Sequence, residues 1–167
     1  MLNIFRFNKK FFINFDTDFY FYWCDLEERE NPSEARKMYI ELEENCTKKP
    51  YVYLRHIQFE IREKQWDNAK KLFDKLILDH QGNTEQIDLL CYLLIEYTNY
   101  VVKYYKDLDY PSKLLKSYFD YLPYNHYLFT NYLLFMKNFE YKEAYYDELM
   151  ALILEGIKKA KEVLSAD

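Results

Sequence analysis

Residues 53–73, Tyr-Leu-Arg-His-Ile-Gln-Phe-Glu-Ile-Arg-Glu-Lys-Gln-Trp-Asp-Asn-Ala-Lys-Lys-Leu-Phe, decide the fold. Apolar and aromatic positions recur at helical steps on both sides of a polar break at Lys64-Gln65: Tyr53, His56 and Phe59 before it, and Ala69, Leu72, Phe73, Leu76 and Ile77 after it. Because only a short polar segment separates the two stripes, they can pair only if the helices fold back as an αα-hairpin.

The same pattern occurs earlier in the chain. Glu27 and Glu60 are 33 residues apart, and Ala35 and Ala69 are 34 residues apart. A period in the low thirties that is made of two helices is typical of helical-repeat solenoids. We therefore predict an all-α fold, an α-solenoid of antiparallel helix hairpins.

Helix start and stop signals divide the predicted array. Asn31-Pro32-Ser33-Glu34 has the residue order of a helix start, and Gly82-Asn83 reads as a stop followed by a new cap. We predict an N-terminal arm or the end of a preceding repeat at 1–16 and about four hairpins over 17–164, with boundaries at 17–49, 50–82, 83–122 and 123–164. A segment of a longer array fits the same pattern.

Composition disfavours several function classes. The chain has 167 residues and two glycines, which argues against sheet hairpins and phosphate-binding loops, since both need Gly. The formal net charge is −5, whereas sequence-independent nucleic-acid binding needs a basic face. Direct RNA contact is therefore predicted to be minor or absent, with a local contact left open as an alternative.

The cysteines and the apolar segments indicate a cellular setting. The three cysteines are Cys24, Cys46 and Cys91; their odd number and the lack of a CxxC spacing predict buried free thiols in a reducing compartment. The apolar patch at 11–13 is too short for a signal-peptide core, and the apolar segment 86–106 contains charged residues. We expect a soluble intracellular protein with no membrane partner.

No pattern of catalytic or metal-ligating residues is present in the sequence. His56, His80 and His126 are scattered, and no HExxH, GxSxG or Walker-type motif occurs. We predict no enzyme activity, no catalytic residue, no cofactor and no metal site. His56 occupies an aromatic position of the repeat and is expected to pack in the core. Glu60 is expected to contact a helix terminus or a basic residue such as Arg62 or Lys64.

Together these residues resemble the HAT (half-a-TPR) repeat. That repeat places two aromatic residues and an apolar-Glu pair on its first helix, and Ala-Arg with an aromatic residue on its second. The alanine is expected where the two helices of a hairpin cross closely, since a small side chain lets the backbones approach. We call the matching positions the repeat-signature residues: Tyr20, Trp23, Leu26, Glu27, Ala35, Arg36, Tyr39, Tyr53, Phe59, Glu60, Ala69, Phe73, Tyr118, Phe129, Tyr132, Phe135 and Ala144. His56 and Lys70 depart from the pattern in the second copy, the last two copies lack the Glu, and Glu148 replaces the final aromatic residue.

The resemblance covers roughly residues 18–150 and implies a function. Residues 26–36 and 53–60 look most like the pre-mRNA-processing factor 39 family, a group of HAT-repeat RNA-processing scaffolds. The resemblance implies a non-catalytic, nuclear protein-interaction scaffold in mRNA splicing, within a small nuclear ribonucleoprotein at the 5′ splice site. The alternative is a TPR-type adaptor in the cytoplasm or an organelle with no RNA role.

The C-terminal helix, predicted to include residues 145–164, is a candidate docking element. A solenoid needs a polar cap at each end, and this helix is apolar instead. Its candidate docking residues are Leu152, Ile153, Ile157 and Leu164. The expected partners are other proteins of a ribonucleoprotein complex or another HAT-repeat protein, as a homodimer or heterodimer. The alternative is that this helix folds back on the fourth hairpin.

Overall fold

The computed structural model describes residues 17–45, 49–81, 86–140 and 142–165. In these ranges the chain forms helices and no strand, so the all-α class is confirmed. The helices are α1 (Thr17–Glu30), α2 (Pro32–Asn45), α3 (Lys49–Arg62), α4 (Trp66–His80), α5 (Ile87–Tyr105), α6 (Asp109–Tyr121), α7 (His126–Met136) and α8 (Tyr145–Leu164), with a 3₁₀ turn at Lys137–Phe139. The predicted arm at 1–16, Cys46, and the predicted stop and cap at Gly82-Asn83 lie outside the described residues.

The chain divides into two compact units, Met1–Leu76 and Ile77–Asp167. In the first unit, α1 packs on α2 and α2 packs on α3. The apolar faces of these helices form a core in which half of the residues are aromatic: Tyr20, Phe21, Trp23, Cys24, Ala35, Met38, Tyr39, Leu42, Val52 and Phe59. Burial of large aromatic side chains is the main stabilising contribution in a unit of this size.

The helix boundaries in the first unit follow local chemistry. Asn31 accepts hydrogen bonds through Oδ1 from the backbone N–H of Glu34 (3.4 Å) and the hydroxyl of Ser33 (2.8 Å), and Pro32 takes the first position of α2. After α3, Lys64 has φ 57°, and the N–H of Gln65 donates to the carbonyl of Glu60 at 2.8 Å. This backbone arrangement ends a helix, so the predicted break between α3 and α4 is observed.

In the second unit, α7 packs on α5, α6 and α8, and α5 also packs on α6. The Asn125 side chain starts α7 by accepting from the N–H of Leu128 at 2.9 Å, and its Nδ2 donates to Asp88 at 2.8 Å. The ring of Phe119 stacks on Phe129 with centroids 5.9 Å apart. Aromatic contacts therefore hold α6 and α7 together, just as aromatic side chains fill the core between the helices of the first unit.

The small residue at the crossing of α7 and α8 is not the predicted one. Ala144 was expected at a close helix crossing, but it is exposed and precedes the first residue of α8. Gly156 is the buried small residue instead, and a Cβ built on it would lie 2.4 Å from Cε2 of Phe129. The irregular segment before α8 displaces Ala144 from the helix, so the close approach depends on Gly156.

Lys159 of α8 stabilises the C-terminal end of α6. Its ammonium group donates to the backbone carbonyls of Phe119, Asp120 and Leu122, the last at 2.9 Å, and lies 5.1 Å from the ring centroid of Phe119. The last carbonyls of a helix lack partners within the helix and carry partial negative charge. A single cation therefore pairs α8 with the end of α6.

We expect Lys159→Met to lower the free energy of unfolding by about 1–2 kcal/mol, since it keeps the aliphatic chain but removes the cation from a partly buried helix end. Chemical denaturation of the full chain measures the change. Lys158→Met is the control, because Lys158 is exposed and makes only a 3.7 Å surface contact with Glu155, which contributes little. Equal losses from the two variants would contradict the capping role of Lys159.

Candidate interaction site

An ionic cluster, buried at Glu43, His56 and Glu60, connects α2 with α3 in the first unit and has the exposed Lys75 of α4 at its edge. We call Arg36, Glu43, His56, Glu60 and Lys75 the Glu60 cluster. Nδ1 of His56 lies 2.6 Å from Oε1 of Glu43, and its Nε2 lies 3.2 Å from Oε1 of Glu60. Arg36 binds Glu60 with two hydrogen bonds, from Nε at 2.6 Å and from Nη2 at 2.9 Å. A two-bond pair between Arg and carboxylate is among the strongest side-chain interactions in proteins.

Aromatic rings enclose the Glu60 cluster. The His56 imidazole stacks on Tyr39 with centroids 5.1 Å apart, and the Arg36 guanidinium lies 5.2 Å from the centroid of Phe59. The side chain of Glu60 is 1% exposed, whereas that of Arg36 is 32% exposed. The cluster is thus sealed on the side of Glu60 and open to water at Arg36.

The charges of the cluster shift two pKa values in opposite directions. Burial alone would raise the pKa of Glu60, but hydrogen bonds from His56 and Arg36 outweigh it and lower that pKa to about 2. Burial alone would lower the pKa of His56, but its hydrogen bonds to Glu43 and Glu60 outweigh it and raise that pKa above 6.5. The folded state therefore favours a protonated His56 between two carboxylates.

This arrangement predicts a pH window of stability. Because the pKa of His56 is raised in the folded state, protonated His56 contributes its full stabilisation below about pH 6.5. This contribution to the free energy of unfolding is lost as the pH rises through the folded-state pKa. The lowered pKa of Glu60 gives stability that is complete above about pH 4.5 and is lost between there and about pH 2. The two contributions are complete together between about pH 4.5 and 6.5.

We expect His56→Gln to lower the free energy of unfolding below pH 6.5. Above pH 6.5 the difference from the wild type should shrink, because the wild type loses the charge of its imidazolium and the variant has none to lose. Two further cations lie near His56: Lys75, whose Nζ is 4.0 Å from Glu43, and Arg36, whose pKa is raised by its hydrogen bonds to Glu60. Urea unfolding of both proteins from pH 5 to 8 measures the difference, with the exposed His126→Gln as control. A cost that does not change with pH would contradict a protonated His56.

A second polar network in the first unit also uses repeat-signature residues. Nε1 of Trp23 donates to Oε1 of the fully buried Glu27 at 3.1 Å. Glu28, next in sequence, accepts from the Tyr39 hydroxyl at 2.8 Å and from Arg62 at 2.5 Å, which joins α1 to α2 and α3. Burial raises the pKa of Tyr39, so its hydroxyl stays protonated and acts as a donor.

Charged side chains of α1 and α3 line a surface groove of about 480 Å³ in the first unit, which we call the charged groove. Its lining residues are Asp25, Glu28, Arg29, Arg55, Gln58, Arg62 and Glu63. Arg55 pairs with Asp25, and its guanidinium lies 4.8 Å from the ring centroid of Phe21. Three arginines and three acidic residues balance in charge, so the groove presents both signs to an occupant.

Sequence reasoning missed the charged groove. Arg55 and Arg62 are seven residues apart and therefore lie on one face of α3, which the sequence could have revealed. Their acidic partners come from α1, about 30 residues earlier, and no local spacing predicts that pairing. Glu60 does contact a basic residue, as expected, but that residue is Arg36, together with His56, and not Arg62 or Lys64.

Most repeat-signature residues are buried, so their side chains pack inside the two units. Those that are buried in the two units are Tyr20, Trp23, Glu27, Ala35, Tyr39, Tyr53, Phe59, Glu60, Ala69, Phe73, Tyr118, Tyr132 and Phe135. Leu26, Arg36 and Phe129 are half-buried, and Ala144 is exposed. Polar side-chain groups at signature positions are also held by hydrogen bonds within the first unit, among them those of Tyr20, Trp23, Glu27, Arg36, Tyr39 and Glu60.

The candidate docking residues of α8 do not share one surface. Leu152 is 8% exposed and packs in the second unit, so it is not available to a partner. Ile157 and Leu164 are 47% and 78% exposed, and Ile153 is half-buried. A single helix face cannot hold both Leu152 and Ile157, because five residues correspond to about 140° of rotation at 3.6 residues per turn. The exposed apolar side of α8 also carries Tyr146, Met150 and Leu154.

The described ranges contain two free thiols but neither a metal-binding cluster nor a membrane-spanning helix. Cys24 and Cys91 are buried free thiols, and burial raises the pKa of Cys91 to about 11. Within those ranges no group of three or more His, Cys, Asp or Glu side chains is placed to hold a metal ion. None of the helices there is long and apolar enough to cross a bilayer.

No protein-family model matches this chain, and neither a curated protein nor a solved structure does. The class that the structure defines is an all-α protein with two compact helical units.

Proposed function

We propose that the chain is a non-catalytic protein-interaction scaffold, an α-solenoid of HAT-type hairpins that acts in a nuclear RNA-processing assembly. The observation that carries this proposal is the pair formed by Arg36 and Glu60. Both are repeat-signature residues, they come from consecutive predicted hairpins, and they join α2 to α3 with two hydrogen bonds. A residue pattern that connects one repeat to the next is what a solenoid requires, because each repeat contacts only its neighbours.

The charged groove supports a protein partner in preference to RNA. RNA binding without sequence preference draws its affinity from cations that neutralise phosphates. In the groove, Arg55 is paired with Asp25 and Arg62 with Glu28, so two of the three arginines are already neutralised. A protein segment with charges of both signs can exchange these pairs one for one, whereas a polyanion would face the carboxylates as well.

The test of the scaffold is affinity purification of the tagged full chain from the cells that express it, followed by mass spectrometry. We expect proteins of an RNA-processing ribonucleoprotein among the partners. Arg62→Glu/Arg55→Glu, which reverses the arginines of the charged groove, is expected to lose partners that bind there, while the exposed Lys37→Glu on α2 keeps them. Recovery of chaperones or motor proteins instead would support a TPR-type adaptor and would contradict the RNA-processing assignment.

We expect the isolated chain to bind unrelated RNA more weakly than about 1 μM at about 150 mM salt, because its net charge is −5 and the arginines of its groove are paired. Fluorescence anisotropy with a labelled single-stranded RNA measures the affinity. Sub-micromolar binding that weakens steeply with added salt would contradict a protein-only role for the charged groove.

A further inference from the structure

A second pocket, in the second unit, differs in chemistry from the charged groove. It has a volume of about 260 Å³ and is lined by Ile95, Thr98, Asn99, Leu115, Asn131, Leu134, Phe135 and Asn138, which come from α5, α6, α7 and the 3₁₀ turn. We call it the asparagine pocket. None of these lining residues is charged, so neither a phosphate nor a cationic group gains an ion pair there.

The floor of the asparagine pocket is apolar and its rim is polar. Of the aliphatic residues that line it, Ile95 and Leu115 are buried and Leu134 is 54% exposed. Asn99 and Asn138 are exposed and Asn131 is half-buried, so three side-chain amides border the opening. An occupant must therefore present an apolar group to the floor and hydrogen-bonding groups to the rim.

The amides retain capacity for further hydrogen bonds. Asn131 donates one N–H to the carbonyl of Tyr127 at 2.8 Å, and Asn138 donates one to the carbonyl of Phe135 at 2.9 Å. In the part of the chain that the structure describes, no hydrogen bond reaches the three amide oxygens, and the Asn99 amide makes none at all. Each amide can therefore offer an acceptor and at least one donor.

We propose that the asparagine pocket binds an extended, uncharged peptide segment of a partner protein. A peptide group presents one N–H donor and one carbonyl acceptor, and a side-chain amide matches both at once. The apolar floor takes one aliphatic or aromatic side chain of that segment between Leu134 and Ile95. Pockets that enclose a whole drug-sized ligand have volumes of about 300–1,000 Å³. The asparagine pocket, at about 260 Å³, is smaller and has room for one side chain with its adjoining main chain.

This chemistry favours peptide over nucleic acid. A nucleobase also offers donors and acceptors, but its phosphates need cations and its ring needs an open aromatic face. The lining has no Lys or Arg, and Phe135, its one aromatic residue, is buried. The inference rests on the proposed function only in naming a protein partner; it does not depend on the RNA-processing assignment.

The test begins with a phage-displayed library of random twelve-residue peptides selected on the immobilised full chain. Binders are depleted on the variant Asn99→Ala/Asn131→Ala, and the remaining peptides are made with blocked termini for anisotropy measurements. We expect peptides with no net charge and one shared apolar position, and at least a tenfold weaker affinity for the double variant. Methylation of one main-chain nitrogen beside the apolar position should weaken binding about tenfold, since one hydrogen bond is lost.

The controls separate the pocket from the fold and from the scaffold proposal. Asn45→Ala removes an exposed amide that, like Asn131, donates to the carbonyl four residues earlier, and it should leave binding unchanged. Asn99→Ala alone replaces the double variant if thermal unfolding shows that the latter is destabilised.

Loss of binding in Asn45→Ala, no effect of N-methylation, or no peptides left after depletion would overturn the proposal. Tighter, Asn99-dependent binding of an eight-nucleotide oligouridine would overturn it in favour of RNA. If affinity purification recovers no RNA-processing partners, peptide binding at the asparagine pocket would still hold. Only the proposed role in an RNA-processing assembly would then be refuted.

Discussion

Replacing Glu60 by glutamine is expected to lower the free energy of unfolding of the first unit by about 3 kcal/mol. Glutamine keeps the shape of the side chain but removes the charge that pairs with Arg36 and His56. Removing one partner of a buried ion pair costs about 3–5 kcal/mol, because the other charge stays desolvated without compensation. The lower end applies here, since Arg36 is 32% exposed and can recover hydration.

The matched control for this prediction is Glu44→Gln on α2, where the side chain is exposed. A surface substitution of this kind changes stability by less than about 0.5 kcal/mol. Urea unfolding followed by tryptophan fluorescence suits the measurement, because Trp23 lies in the core of the same unit. If Glu60→Gln and Glu44→Gln have equal effects, the Glu60 cluster does not stabilise the junction between α2 and α3.

A double-mutant cycle isolates the pair. Arg36→Met removes the guanidinium while keeping an apolar chain over Phe59, and the combination with Glu60→Gln removes both members. We expect the double variant to be more stable than the sum of the single losses predicts, because neither charge is then left alone. Strict additivity would show that Arg36 and Glu60 act independently.

The sequence predicted the helices well because their information is local. Residues that recur at 3.6-residue spacing mark an apolar face wherever the helix packs. The starts and stops were equally local: Asn31 caps α2 with its own side chain, and the backbone at Lys64-Gln65 closes the end of α3. These predictions needed no knowledge of which helix packs against which.

The polar contacts were harder to predict because they join residues from separate helices. The repeat pattern singled out Glu60 but not Arg36 as its partner, which lies 24 residues earlier. Arg62, one of the two basic residues that were offered as examples, stands two residues from Glu60 and so points to a different side of α3, where it binds Glu28. The asparagine pocket was not predicted, because Asn99 lies on α5 whereas Asn131 and Asn138 lie on α7 and the 3₁₀ turn after it, and these elements form one pocket only when they pack.

The small residue at the α7–α8 crossing shows the limit of the repeat pattern. Alanine positions were transferred at a fixed offset, which assumes that each hairpin has the same loop length. The segment before α8 breaks that assumption, so Ala144 falls outside the helix and Gly156 supplies the close approach. The physical rule that a helix crossing needs a small residue holds, although its position moved by 12 residues.

We expect Gly156→Val to lower the free energy of unfolding of the second unit by about 3 kcal/mol. Glycine in a helix interior costs about 1 kcal/mol relative to alanine, so a substitution here should stabilise α8 if space allowed it. Space does not allow it, because the new Cβ alone would lie 2.4 Å from Cε2 and 2.6 Å from Cζ of Phe129. Overpacking of this kind typically costs about 1–3 kcal/mol, and valine adds two methyl groups beyond the Cβ.

The ring of Phe129 has little freedom to move away. Its centroid lies 5.9 Å from that of Phe119 and 5.8 Å from that of Tyr124, so rotation would disturb two further rings. Replacing the ring by a smaller side chain should therefore relieve the clash. Phe129→Leu alone is expected to lower the free energy of unfolding, but the loss in Gly156→Val/Phe129→Leu should be smaller than the sum of the two single losses. Side chains in direct contact commonly show coupling of about 0.5–3 kcal/mol in such cycles.

Ala151→Val controls for the lower helix propensity of valine, since Ala151 is exposed on the same helix. It should cost less than about 0.7 kcal/mol. Thermal and urea unfolding of the four variants, with amide hydrogen exchange of α7 and α8, measure stability and show whether the loss is local to this crossing. A stabilised Gly156→Val protein would mean that α8 stands further from α7 than the structure places it. The packing of Leu152 in the second unit, and with it the division of α8 into a buried and an exposed face, would then be wrong as well.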